Sequence, residues 1–224
     1  SGGFRSGLWR GTVGGTDTWV LLAGGDARMD ELRFDAGRIC LDLLATAHPC
    51  ERLDSVGSLC AWIHGCGLVP PDTPLTRADA SWPVAFRELR RGVGQLVHGW
   101  LAQNGSPPYD GAAAHDGALA RVNEAARAAP PTPRAVRGED GSLVRALDGP
   151  PGCAALLAAV ARDTVELLTD PVARAGLRQC AGDNCPLVYV DMSRGRRRRW
   201  CSSEVCGNRE RVARHRRRAA LARS

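Results

Sequence analysis

Lysine is missing altogether from these 224 residues: each of the 30 basic side chains is an arginine. That absence can reflect codon bias, and it assigns no role to any single arginine. Aromatic residues make up only 5% of the chain, too few for the stacking platforms that readers of single-stranded nucleic acid use. No apolar run approaches the ~20 residues a bilayer-spanning helix needs, so no membrane partner is expected. The opening SGGFRSG has neither the charged leader nor the apolar segment of a secretion signal and reads as a trimmed end. Internal repeats and long heptad runs are absent, which excludes solenoids and coiled coils. No Ser/His/Asp set or paired carboxylates stand out, so nothing supports an enzyme. Nine cysteines is an odd number. Without a secretion signal, that count favours a reduced, cytosolic chain with some thiols on a metal over a disulfide framework.

Hydrophobic residues reach 44%, enough for a sizeable core, and the length suits one ordinary domain plus a small module. Residues 1–30 are Gly- and Thr-rich, with a short apolar run at 19–23 that suggests a strand. Helical patterning starts at residues 38–47 and stops at Pro49. In the next helix Asp54 is placed to cap, Val56, Leu59, Cys60 and Ile63 repeat at helical spacing, and Gly67 fits the end. A longer helix over 82–103 turns Phe86, Leu89, Val93, Leu96, Val97 and Trp100 inward, and a loop follows at 104–110. Residues 112–129 are alanine-rich and helical, and two short runs around Gly138–Gly141 pattern as a hairpin. The clearest amphipathic helix runs over 153–170, closed by Pro171. The expected fold is α+β. Residues 31–172 form a predominantly α-helical domain with a small β-hairpin element, and residues 173–224 form a second, C-terminal module.

That module is marked by Cys180 and Cys185, then fifteen residues, then Cys201 and Cys206. Two C-x4-C loops let four sulfurs converge on one tetrahedral zinc at about 2.3 Å. Between them, residues 187–190 alternate faces as a strand, Ser193-Arg194-Gly195 turns, and the chain returns as a hairpin. Ser203 is placed as the cap of a helix whose first turn carries Cys206. A knuckle, a hairpin and a helix bearing the last ligand make a treble-clef-like zinc finger, with one structural zinc per chain. Four reduced core cysteines and a thiol–disulfide switch are the alternatives. Elsewhere, Cys60, His64 and Cys66 cluster in LCAWIHGCG, a set more in keeping with a buried thiol and a helix-end histidine than with a second metal.

CAGDNCPLVYVDMSRGRRRRWCSSEVCGNRERVARHRRR resembles the CGNR zinc-finger family, whose tetrapeptide stands here as Cys206-Gly207-Asn208-Arg209. The step from Asp191 to Ser193 and the run into Cys201 fit the same pattern. The stretch FDAGRICLDLLATAHPCERLDSVGSLCAWIHGCGL is similar to the opening of the ABATE-type domain that usually precedes this finger, and the similarity extends over residues 31–170. One departure is Ala45, which stands before Thr46 where that family usually has Asn. The resemblance implies a bacterial transcription regulator whose helical domain senses a ligand or mediates assembly.

Charge is concentrated at the finger. From Arg178 onward, 13 arginines face only Asp183, Asp191, Glu204 and Glu210, a surplus of nine that leaves the rest of the chain at −3. Such asymmetry suits a polyanion, here double-stranded DNA. The candidate contacts are Arg194 and Arg196, Arg197, Arg198 and Arg199 at the hairpin end. On the helix they are Asn208, Arg209, Arg211, Arg214, His215, Arg216, Arg217 and Arg218. Val205, Val212 and Ala219 form a narrow seam toward the hairpin, Glu210 pairs with Arg214, and Trp200 packs over the knuckle. Sequence-specific duplex binding in the cytoplasm, associated with the nucleoid, is the expected function. RNA polymerase, a small-molecule ligand of the helical domain and a homodimer are further possible partners. The rivals are an RNA or ribonucleoprotein module and an enzyme domain tethered by the finger.

Overall fold

Apolar residues at helical spacing generate most of the secondary structure. The computed structural model describes residues 32–103 and 112–221, so the strand expected at 19–23 and the loop at 104–110 lie outside them. The helices are α1 (Ile39–Ala45), α2 (Val56–Gly65), α3 (Ser81–Gln103), α4 (Ala112–Ala126), α5 (Cys153–Thr169), the one-turn α6 (Pro171–Arg174) and α7 (Asn208–Leu221). Two antiparallel hairpins complete it: β1 (Pro133–Arg137) with β2 (Leu143–Leu147), and β3 (Leu177–Gln179) with β4 (Val188–Val190). The α+β reading, helix-rich with small hairpins, is what the described residues form.

Helices α3, α4 and α5 pack on one another, and α1 lies across α3 and α5. The expected inner stripe of α3 is its core face: Phe86, Leu89, Val93, Leu96 and Val97 are buried and Trp100 is half-buried. Phe86 meets Trp62 of α2 edge-on, with ring centroids 5.9 Å apart and planes at 69°, a favoured aromatic geometry. Helix α1 is buried on nearly every side and has no cap of its own. Asp163 of α5 accepts the Cys40 amide at 2.9 Å and pairs with Arg38 at 2.8 Å, so the role of N-cap passes to a neighbouring helix.

Several helix ends differ from expectation by a residue or more. The cap of α2 is Ser55, not Asp54: Ser55 and Ser58 exchange side-chain-to-backbone bonds at 3.1 Å in a capping box, and Asp54 only accepts from the Ser58 hydroxyl. Gly67 does close the helix, at φ +71°. Helix α1 stops at Ala45, with Thr46 as its C-cap. Pro171 ends α5 but also begins α6, because Asp170 accepts the Val172 amide at 2.7 Å.

The C-terminal hairpin pairs differently from the sequence reading. Val188–Val190 forms its ladder with Leu177–Gln179, upstream of the first cysteine, and all three of its residues are buried. The returning segment after Gly195 is held without a ladder: Tyr189 donates to the Arg198 carbonyl at 2.6 Å, and the Ala181 amide donates to Arg199 at 2.8 Å. Leu32–Ser224 is one unit. Its C-terminal part is joined to the helices through the Val190 amide on the Ala36 carbonyl, 2.9 Å, and the Asp191 amide on Gly176, 2.8 Å. Gly176 suits this close approach, since a Cβ would lie 3.1 Å from both the Ala173 carbonyl and Val190 Cγ1 and would need them to shift.

Candidate zinc centre and nucleic-acid interface

The first knuckle grows out of β3. Cys180 follows Gln179 directly, and its amide donates to the Leu187 carbonyl at 2.9 Å. A turn closed by the Cys185 amide on Gly182, 3.1 Å, with Asn184 at φ 58°, brings Cys185 back beside it. The second pair is set by a helix start. Ser202 is the cap, one residue earlier than expected, and its hydroxyl accepts the amides of Glu204 and Val205. The displacement arises because residues Ser203–Gly207 form a π-helical turn, closed by the Gly207 amide on the Ser202 carbonyl at 2.9 Å. Cys206 lies in that turn and α7 continues from it.

All four sulfurs fall within 4.8 Å of one another. Cys185 and Cys201 are 3.7 Å apart, and Cys201 and Cys206 are 3.5 Å apart. Four bonds of about 2.3 Å in a tetrahedron require sulfur–sulfur edges of roughly 3.8 Å, so the arrangement has the dimensions of a zinc–thiolate site. Two amides point at Cys180 Sγ, from Gly182 at 3.4 Å and Cys201 at 3.3 Å, as suits an anionic sulfur. Gly182 leaves the space the sulfurs occupy; a Cβ there would lie 3.5 Å from Sγ of both Cys180 and Cys206. Crowding and burial raise two of the thiols, Cys201 and Cys206. Cys201 is pushed up by its contact with Cys185 and then by burial, and Cys206 goes to about 11 through burial and then Cys201. A cation among the four sulfurs would favour the thiolates, which ties the metal to the fold of this end.

Two family models match the chain. ABATE, described as "putative stress-induced transcription regulator", covers residues 37–171, more than half the chain, and the CGNR zinc finger covers residues 177–219. The chain belongs to the ABATE family. No curated protein matches it at a significant level. Neither of the two families is an enzyme family. In this ABATE protein the C-terminal CGNR finger carries one structural zinc, at the cluster of Cys180, Cys185, Cys201 and Cys206. Among the described residues no helix is long and apolar enough to cross a membrane. Cys60, His64 and Cys66 gather no metal site: His64 Nδ1 lies 2.8 Å from the Cys60 carbonyl and Nε2 lies 3.0 Å from that of Thr73.

The ABATE protein's basic residues fall into distinct groups. Asp191, buried, spans the arginine loop, accepting the Ser193 amide on one oxygen and the Arg198 amide on the other, both at 2.9 Å. The Ser193 bonds come first among the causes that lower its pKa. Within that loop Arg194, Arg196, Arg197 and Arg199 are exposed. Arg198 turns inward instead. Its guanidinium donates to the carbonyls of Trp200, Cys201 and Asp35 and lies 4.5 Å from the Tyr189 ring centre. On α7, Asn208, Arg209, Arg211, Arg214, His215, Arg216, Arg217 and Arg218 are all exposed. Arg211 reaches back to the Gly207 and Ser203 carbonyls, both at 3.3 Å. Glu210 pairs with Arg217 at 2.6 Å, two turns on, rather than with Arg214.

The seam expected on α7 is only partly formed. Val205 is half-buried, but Val212 is 49% exposed and Ala213 takes the inner place; the Ala219 side chain lies outside the described set. The π turn rotates the helix relative to a continuous α-helical count, which accounts for the shift. Trp200, expected over the knuckle, lies against the turn that carries Cys206: a Cβ on Gly207 would sit 3.7 Å from its ring, and Arg199 covers it at 5.5 Å. Two features escaped the sequence reading. Asp191 was noted only as part of a motif. The outer face of α3, with Arg87, Arg90, Arg91 and His98, borders a cleft whose only sequence signal is spacing of three and four residues.

Proposed function

We propose that this protein is a transcription regulator that binds double-stranded DNA through α7, and that its helical part responds to a ligand or partner. The observation that carries the reading is a stripe on α7: Arg211, Arg214, His215 and Arg218 are exposed at i, i+3, i+4 and i+7, one side of a helix rooted in the zinc cluster. A cationic stripe on a rod about 10–12 Å wide suits the major groove, where rim arginines neutralise phosphates and those near the N-terminus reach guanine edges. Arg194 and Arg197 of the loop add phosphate contacts. Arg198 plays a different part in the proposal, holding the loop in place. Duplex is favoured over single strands because Tyr189 is buried and Trp200 is covered, so neither offers a stacking face.

The test is binding to a labelled duplex as salt is varied. Wild type loses affinity linearly in log–log form, and Arg214→Ala with Arg218→Ala lowers the slope by about 2 while zinc content and helicity stay unchanged. Equal affinity for random RNA and every duplex would instead support the RNA-binding reading. A shared motif among recovered genomic fragments would establish sequence specificity.

A further inference from the structure

Helix α3 buries one stripe and turns another outward: Arg87, Arg90, Arg91 and His98 follow one another at helical spacing, with Gly94 leaving the middle bare. Facing them are Leu44, His48 and Glu51 from α1 and the loop after it, and Pro186, Leu187 and Val188 from the zinc finger. Together they enclose a cleft of about 490 Å³, within the size range of small-molecule sites. We infer that this cleft binds a small organic anion, a carboxylate or phosphate monoester on an apolar body, and that the bound anion bridges the helical part and the finger. The inference deepens the ligand-sensing half of the reading above and does not depend on DNA binding.

Charge gives the sign of the ligand. Among the described residues Glu51 is the sole carboxylate on the lining, and it is already matched. Arg90 grips it in a fork, Nη1 to Oε1 at 2.8 Å and Nη2 to Oε2, and also donates to Thr46 at 2.7 Å. That pair holds the Glu51 carboxyl down to about 2, chiefly through the hydrogen bonds from Arg90. Among the described residues neither of the two further guanidiniums bonds a carboxylate, although the charge of Arg87 also acts on Glu51. Arg87 uses one N–H on the Leu53 carbonyl, and Arg91 is exposed and makes no hydrogen bond or ion pair among the described residues. With the two imidazoles, these donors converge on one space where three guanidiniums face a single carboxylate.

The walls give the rest. Leu44, Leu187, Val188 and the bare backbone at Gly94 offer apolar surface beside the donors, so an anion with a hydrocarbon body gains more than a free ion. Pro186 follows the ligand Cys185 directly, and the Leu187 carbonyl accepts the amide of the ligand Cys180. An occupant resting there touches the segment that spaces two zinc ligands, and its affinity is linked to how that segment sits against α3.

Calorimetric titration of the zinc-loaded full chain with phenylphosphate, without DNA, tests this. One saturable site is expected, at least about tenfold tighter than for inorganic phosphate, with no binding of phenol. Arg91→Ala, which removes no bond among the described residues, weakens it about tenfold at unchanged zinc content, as does His98→Ala. Phenylphosphate shifts the Leu187 and Val188 amide resonances in the wild type and not in Arg91→Ala. Absence of a saturable site, equal affinity in both variants, or inorganic phosphate binding as tightly as phenylphosphate would overturn the inference. Since no readout involves DNA, the duplex reading stands or falls separately.

Discussion

Asp42 lies in the first turn of α1 with 6% of its surface exposed, and its carboxylate accepts one bond, from the Ala36 amide at 3.1 Å. Burial raises its pKa to about 7, and the charges of Asp35 and Asp163 add to the effect. An unfolded aspartate titrates near 3.9. Between roughly pH 4 and 7 the folded chain therefore keeps a proton that the unfolded chain has lost. Stability attributable to this group is full below that window, falls through it, and stays low above it. Asp42→Asn keeps an acceptor for Ala36 and removes the titration. It is expected to stabilise the chain at pH 8 by a few kcal/mol, ~4 at most, and to flatten the decline between pH 4 and 7. Urea unfolding at pH 4.5 and 8 measures both, and parallel pH profiles for variant and wild type would contradict the assignment. Residue identities were unevenly legible in the sequence. The zinc cysteines could be read from spacing, because two short loops and an intervening segment constrain where sulfurs converge. The Asp42 shift and the inward turn of Arg198 could not, because each depends on partners from distant elements.

Helix α3 shows what spacing reveals and what it hides. Its apolar stripe was plain in the sequence, and the core forms on it. The cationic side chains Arg87, Arg90, Arg91 and His98 carry no mark in the sequence beyond their spacing, because the residues that face them come from the loop after α1 and from the finger. Gly94 is half-buried in the middle of this helix, with helical backbone and Leu44 Cδ2 3.5 Å from where a Cβ would sit. Alanine fits that space, so Gly94→Ala is expected to raise stability by about 0.5–1 kcal/mol through lost freedom of the unfolded chain. A higher urea midpoint at an unchanged slope would bear this out, and a lower midpoint would refute it. The strands were harder to read. β3 and β4 have three residues each, too few for an alternating pattern to choose between an upstream and a downstream partner. The cap of the last helix slipped by one residue for a related reason, since a π turn leaves no mark on helical spacing.

At the scale of the molecule, the apolar core does not stop at the finger. Leu177, Val188, Tyr189, Val190, Cys201 and Cys206 belong to the same buried cluster as Phe86, Trp62 and Leu156. Removing the metal is therefore expected to weaken the whole unit and not only its end. Chelation, or Cys201→Ser, should lower the melting temperature of residues 32–224 in a single shifted transition, followed by calorimetry and zinc analysis. Two separate transitions, with the helical one at its original temperature, would show that the parts melt independently. The sequence marked a helical body and a cysteine-rich end but gave no sign of this union, because two of the bonds that fasten it end on the backbone carbonyls of Asp35 and Ala36.

Those two carbonyls limit how the finger can be reused. Val190 and Arg198 both send donors to the stretch just before α1, so a graft of residues 177–219 onto a foreign scaffold would arrive with the Val190 amide deprived of its acceptor and the Arg198 guanidinium short of one of its three. The transferable piece is a discontinuous one, in which the short stretch 35–37 must travel with a finger that lies more than 130 positions away in the chain.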